Sequence, residues 1–308
     1  MSTSTIDRRL FLRAGACGLA GLAAARGADT PAERKKPTKF QVACMTLPYS
    51  AFPLARALAG IKAAGYRYVA WGTTHVESPG GKKRVPVLAG DADPAKAKEL
   101  ARVCRDLGLE PVMMFGPAPE DVPAMKRRVR QAAAAGVAQV LTMGRTKGND
   151  VKLWVKNFKE LAPLARDSGV VLVVKQHGGN TGTGVACAAI TREVGDEAVK
   201  VCYDAGNVMD YHKLDPIPDV RKCAAEVRSF AIKDHRTFPR DEDCGPGLGE
   251  IDHYRLLAPV AFTGRAMPLC CENISAPVVP RPAAAEGVDA LARRARVFLE
   301  IVIAGLQR

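Results

Sequence analysis

Residues 170–176 read VVLVVKQ: five aliphatic residues in a row, closed by a lysine and a glutamine and followed by HGG. An apolar run of this length without alternation is a strand buried on both faces, as in a parallel sheet sheathed by helices. Seven more runs of the same kind stand at intervals along the chain. They are FQVACMT (40–46), YRYVAWG (66–72), LEPVMMF (109–115), VAQVLTM (137–143), VKVCYDA (199–205), RSFAIKD (228–234) and PLCCENI (268–274). Segments of helical period follow each strand, at 53–64, 94–107, 120–135, 151–167, 184–194, 216–227, 252–262 and 288–306. Gly65, Gly108, Gly136 and Gly169 stand where a helix C-terminus needs positive φ before the next strand. Eight strand and helix units in succession predict a single-domain α/β fold, a (β/α)8 barrel over residues 40–308. A doubly wound sheet is the alternative, but eight evenly spaced units are unusual for it.

A barrel places its chemistry at the C-terminal ends of its strands. Those ends carry Trp71 and His75, then Lys175, Gln176 and His177, then Asp204 and Asn207, then Lys233, Asp234 and His235, and finally Glu272 and Asn273. Charges that close otherwise apolar strands are costly unless paired or bound. Asp204 and Glu272 with a histidine, His177 or His235, suit a divalent cation, and Mn, Co, Zn, Fe and Mg are all chemically compatible. The same carboxylates suit acid and base work on carbon. The plain structural alternative is a salt bridge from Asp204 or Glu272 to Lys175 or Lys233. Trp71, His75, Asn207, His235 and Asn273 are the candidate substrate contacts. Two glycine-rich loops, HGGNTGTG (177–184) and CGPGLGEID (244–252), lie at the same end and read as tight turns, an anion cradle or a lid.

Composition narrows the class. The 308 residues are 47% hydrophobic and 25% charged, which excludes disorder and a polytopic membrane protein. Forty-five Lys and Arg against 32 Asp and Glu give +13, but the excess is scattered, with no basic block longer than Lys126-Arg127-Arg128. That is the pattern of solvated helix faces, so no nucleic-acid partner is expected. Residues 1–28 contain Arg8-Arg9, Phe11-Leu12, an Ala/Gly/Leu stretch and small residues before position 28, and so read as a twin-arginine export signal. Residues 29–39 read as a polar linker, and the location expected is periplasmic or otherwise extracytoplasmic, with no stable membrane span once the signal is removed. Nine cysteines occur without any CxxC, and most fall inside apolar patterns, as buried thiols do.

The segments VVLVVKQHGG, CYDAGN, FAIKDHR, GLGEID and CCENI, in this order, resemble the sugar phosphate isomerase/epimerase family of xylose-isomerase-like barrels. The resemblance covers residues 40–305 and implies a carbohydrate substrate, a homodimer, and proton transfer next to a carbonyl. It also implies a metal held by Glu, Asp, His and Glu after strands 5 to 8. Here Asp204 and Glu272 match, whereas Lys175 stands at the first Glu position and Ala231 at the His position. Asn207 replaces a His that contacts substrate, and His177 and His235 match residues kept near the site. A lysine there puts an ammonium about where the cation would sit. Three arrangements follow. A metal is held by His177, Asp204, Glu272 and His235; or Lys175, its proton affinity lowered by burial and by Lys233, is a base or electrostatic group without metal; or the barrel binds carbohydrate without catalysis. The expected function is a sugar or keto-sugar isomerase or epimerase, with Glu272 as base, Asp204 as ligand or electrostatic partner, and Lys175 and His177 polarising the substrate oxygen. A lyase acting on a 3-keto-glycoside is the alternative.

Overall fold

A computed structural model describes residues 36–143 and 150–308; the segment expected to be an export signal lies outside them. Residues Lys36–Arg308 form one compact unit. The elements run β1 (Lys39–Met45), α1 (Leu54–Ala63), β2 (Tyr68–Trp71), β3 (Thr74–Val76), β4 (Arg84–Pro86) and α2 (Pro94–Asp106). Next come β5 (Glu110–Phe115), α3 (Val122–Ala135), β6 (Gln139–Met143), α4 (Val151–Asp167), β7 (Val171–Lys175) and α5 (Gly184–Val194). The chain continues through β8 (Val199–Tyr203), α6 (Ala205–His212), α7 (Pro216–Cys223), β9 (Val227–Ile232), β10 (Asp234–Arg236) and β11 (Glu242–Cys244). It ends with α8 (His253–Leu257), β12 (Ala266–Cys271) and α9 (Ala285–Leu306).

Eight parallel strands close in the order β1-β12-β9-β8-β7-β6-β5-β2, which is the (β/α)8 barrel the strand count predicts. Gly65, Gly108, Gly136 and Gly169 take φ of +89°, +73°, +69° and +65°, the left-handed region a side chain would strain. Most helices open on an Asp or Thr whose side chain accepts a backbone N–H. Asp93 caps α2, Asp121 α3, Asp150 α4, Thr183 α5 and Asp252 α8.

Alternation along the strands sorts side chains into two layers. One parity packs outward against the helices, including Trp71, Met114, Leu172, Val174 and Phe230. The other fills the barrel interior: Ala43, Met45, Ala70, Met113, Leu141, Val173, Cys202, Ala231 and Cys270. Two residues beyond Val173, Cys202, Ala231 and Cys270, at the same parity, stand Lys175, Asp204, Lys233 and Glu272. Four neighbouring strands, β7, β8, β9 and β12, therefore deliver four charges to one interior layer at the C-terminal mouth. The same arithmetic on three of the other strands gives Leu47, Phe115 and Met143, partly buried against the interior layer. One half of the mouth is thus charged and the other half apolar.

Several details differ from the sequence expectation. Thr38, assigned to a linker, is buried, and its hydroxyl donates to the Val260 carbonyl, so the barrel begins earlier. The hairpins β3–β4 and β10–β11 and the helix α6 are additions at the C-terminal face of the barrel. All eight cysteines of the described residues are buried free thiols. No helix among the described residues is long and apolar enough to cross a membrane.

Candidate active site

The charged layer is an ion-paired cluster. The Lys175 ammonium lies 2.5 Å from both Glu272 oxygens and 3.0 Å from Asp204 Oδ2. The Lys233 ammonium lies 2.7 Å from Asp243 Oδ2 and 3.7 Å from Asp204, and donates to Asn207 Oδ1 at 2.5 Å. Lys175 and Asp204 are sealed off, at 1% and 0% side-chain exposure, whereas Glu272 keeps 18% and Asp243 28%. A cleft of about 240 Å³ opens above the cluster, lined by Glu272, Lys233, Asp243, Asn273, Ser50 and Arg281 among others. Glu272 and Lys233 are thus the members of the inner layer that line the cleft, while Lys175 lies behind Glu272.

The electrostatics follow from burial and these pairs. Burial would push Glu272 up, but the Lys175 and Lys233 ammoniums and the hydrogen bonds from Lys175 hold it down at about 2. Burial dominates at Asp204, which is raised to about 6 against the pull of Lys233 and Lys175. Burial opposes charge on both lysines, yet the surrounding carboxylates prevail and both are raised, Lys175 by Glu272 and Asp204, and Lys233 by Asp204, Glu272 and Asp243. Lys175 therefore stays an ammonium, which corrects the expectation that burial and Lys233 would turn it into a base. His177 is half-buried with its ring 5.4 Å from that of Tyr211, and burial followed by the Lys175 charge lowers its proton affinity.

Asp204 also serves the local fold. Its Oδ1 accepts the Asn207 N–H at 2.9 Å, capping α6, and its own N–H donates to Gln176 Oε1 at 2.6 Å. Asn207 is consumed in the same way: its Nδ2 donates to the Gln176 carbonyl at 2.6 Å while its Oδ1 accepts from Lys233. Being buried and fully engaged, it supports Lys233 and does not reach the cleft. His235, one of the expected metal ligands and substrate contacts, is buried on β10 and does not line the cleft with Glu272. Its Nδ1 lies 3.0 Å from Asp243 Oδ1 and its Nε2 3.0 Å from Asp241 Oδ1. Ligand atoms of Asp210, His235 and Asp241 all lie within 4.8 Å of one another, a separate convergence at the rim. Trp71 points into the layer between strands and helices and lines a different cleft with Met114, Pro86 and Leu88. His75 is buried on β3 with Nδ1 2.8 Å from the Phe52 carbonyl. Asn273 does line the cleft; its Oδ1 accepts the Ser275 N–H at 2.8 Å.

Both glycine-rich loops are structural. The first amides of α5, at Gly184 and Val185, donate to the Asp219 carboxylate at 2.7 and 3.1 Å, so no anion is needed there. The 244–252 loop is pinned by Asp234, whose carboxylate accepts the His235, Gly247 and Ile251 N–H groups at 2.9, 2.9 and 3.0 Å. Asp243, the partner of Lys233, escaped the sequence reading because β11 reaches the site only by folding back on β10.

The chain belongs to the xylose isomerase-like TIM barrel family, whose model matches residues 58–294. No curated relative matches it. Among solved structures it is similar to an L-ribulose 3-epimerase, 17% identical, with a TM-score of 0.65 over 87% of this chain and 95% of that one. A D-psicose 3-epimerase solved in the presence of D-fructose is 14% identical, with a TM-score of 0.62 over 87% and 100% of the two chains. A xylose isomerase-like barrel from Mycobacterium smegmatis in complex with magnesium is 16% identical, with a TM-score of 0.64 over 88% and 98%. At these identities the likeness is one of fold.

A family-type divalent ion does not fit the residues present. An ion held by Asp204 and Glu272 would have to occupy the place of the Lys175 ammonium, which is already 2.5 to 3.0 Å from their oxygens. Next to them stand a second ammonium at Lys233 and a methyl group at Ala231, neither of which is a donor to a metal, and the third carboxylate, Asp243, is already paired with Lys233 at 2.7 Å. Nor does the structure assemble the set His177, Asp204, Glu272 and His235: His235 Nδ1 faces Asp243, and its ligand atom converges with those of Asp210 and Asp241.

Proposed function

We propose that the protein is a keto-sugar isomerase or epimerase that moves a proton at a carbon next to a carbonyl. The observation that carries this reading is the juxtaposition of the Glu272 carboxylate and the Lys233 ammonium on one small cleft at the catalytic end of the barrel. Glu272, ionised across the physiological range, takes the proton from carbon. Lys233 donates a hydrogen bond to the carbonyl oxygen and meets the negative charge that grows there as the enolate forms. A carboxylate held so acidic is a weak base, so the enolate's stabilisation by Lys233 carries much of the barrier lowering. Lys175 orients Glu272 through both oxygens, and when Glu272 becomes neutral the Lys175 charge remains paired with Asp204 at 3.0 Å. Return of the proton from Glu272 to the neighbouring carbon, with the hydroxyl proton passing to the former carbonyl oxygen, gives an isomer; an epimer requires a second donor on the opposite face of the sugar to protonate the same carbon. The sugar epimerases among the fold neighbours support keto-sugars as the substrate class.

Deuterium wash-in tests the reading. The protein is incubated in D2O with L-ribulose, D-psicose, D-fructose and a 3-keto-glycoside, with and without added Mg2+, and followed by NMR. Exchange at the carbon next to the carbonyl, lost in Glu272→Gln, is expected. Loss of the aglycone from the keto-glycoside would redirect the reading to a lyase. Absence of exchange in every sugar under both conditions would refute it and leave a carbohydrate-binding barrel.

A further inference from the structure

We propose that Lys175 is a tethered counter-ion that stands permanently in the cation position of this site, so that the Glu272 centre works without a bound metal. The proposal concerns the same site as the isomerase reading and deepens it, but its test is read without substrate. Three carboxylate oxygens, two from Glu272 and one from Asp204, surround an ammonium that has three protons to give, at 2.5, 2.5 and 3.0 Å. That is the donor set a small divalent ion would collect from these strands, already satisfied by a group covalently attached to β7.

Charge bookkeeping points the same way. Asp204, Glu272 and Asp243 carry three negative charges and Lys175 and Lys233 two positive ones, leaving the buried group at −1. A divalent ion added to this set would sit against one ammonium or evict it, and Lys175, at 1% exposure, has no solvent-facing position to retreat to. Ala231, in the interior layer beneath Lys233 and packed with Val173, Cys202 and Cys270, offers only a methyl group where the family resemblance implies a histidine ligand.

The experiment is a Mn2+ titration of the chelator-treated, full-length protein, followed by calorimetry and by the electron paramagnetic resonance of free Mn2+. Only binding that Glu272→Gln abolishes is counted, which sets aside an ion at Asp210, His235 and Asp241. The wild type is expected to show none, whereas Lys175→Glu, alone or combined with Ala231→His, gains about one equivalent. Glu272-dependent binding by the wild type would overturn the proposal. So would a Lys175→Glu variant that keeps the wild-type circular dichroism and still binds no Mn2+. Should that variant fail to fold, the wild-type titration decides alone: Glu272-dependent uptake overturns the proposal and its absence sustains it. Lack of turnover on every sugar would sink the isomerase reading and leave this result untouched.

Discussion

Replacing Asp234 by alanine should loosen the face of the barrel that carries the cleft. The Asp234 carboxylate is fully buried; Oδ1 accepts the His235 and Ile251 N–H groups and Oδ2 the Gly247 N–H, all at 2.9 to 3.0 Å. A hydrogen bond to a charged acceptor is worth ~1.5–3 kcal/mol, so three amount to roughly 4–9 kcal/mol gross. Part of this is offset because the buried carboxylate no longer has to be desolvated, with His253 Nδ1 3.8 Å away as its nearby cationic partner when protonated. A net loss of about 3–5 kcal/mol remains, or roughly 6–15 °C in melting temperature for a domain of this size. Asp234→Asn separates the two oxygens. Its amide oxygen can keep the pair at His235 and Ile251 while its NH2 faces the Gly247 N–H, so it should lose only ~1–3 kcal/mol. Thermal unfolding gives the totals, and amide hydrogen exchange should show Gly247 unprotected in both variants but Ile251 in alanine alone. A loss below about 1 kcal/mol in the alanine variant, or equal losses in the two, would refute the assignment of this loop to a carboxylate anchor.

Three more outcomes are expected. The Tyr66 hydroxyl donates to the Ala292 carbonyl at 2.8 Å, tying the start of β2 to α9, so Tyr66→Phe should cost about 1–2 kcal/mol in urea unfolding with no change in Mn2+ or sugar binding. The thiols of Cys44, Cys187, Cys202, Cys270 and Cys271 are pushed up by burial, so an aromatic disulfide reagent should label none of them until the protein unfolds; rapid labelling of the native state would contradict their placement. His75, His177 and His253 are all lowered, chiefly by burial. A depressed folded-state value means stability that is complete above pH ~6.5 and is lost as pH falls through the folded values. Melting temperature should therefore decline below that pH, with a shallower slope in His75→Asn; an unchanged slope would show that His75 is not held neutral.

The fold was legible because the barrel strands are short, mostly apolar runs at regular intervals and glycines mark the turns that need positive φ. The charged mouth was legible for the same reason: Lys175, Asp204, Lys233 and Glu272 end their strands at the interior parity. Trp71 fails that parity test, since Ala70 faces inward and its neighbour must face the helices. Applied at the outset, the test would have removed it from the substrate contacts. Asn207 and His235 were harder to read. Their surroundings depend on α6 and on the β10–β11 hairpin, short elements whose polar sequences carry no periodic signal. The choice between a metal and an ammonium rested on two positions, Lys175 and Ala231, and only the distances around the Lys175 Nζ show how completely the carboxylates are occupied.

Closure of the barrel also sets a timetable. β1 pairs along most of its length, Lys39 to Cys44, with Ala266 to Cys271 of β12, the last strand to be made. At a synthesis rate of about 5–20 residues per second, the intervening stretch takes roughly 10–45 seconds to emerge. Throughout that interval one flank of β1 is an unpaired, apolar strand edge, the kind of surface on which nascent chains aggregate. The finished barrel has no such edge, so the hazard is confined to birth, and the demand for chaperones should fall on the nascent chain and cease once β12 docks.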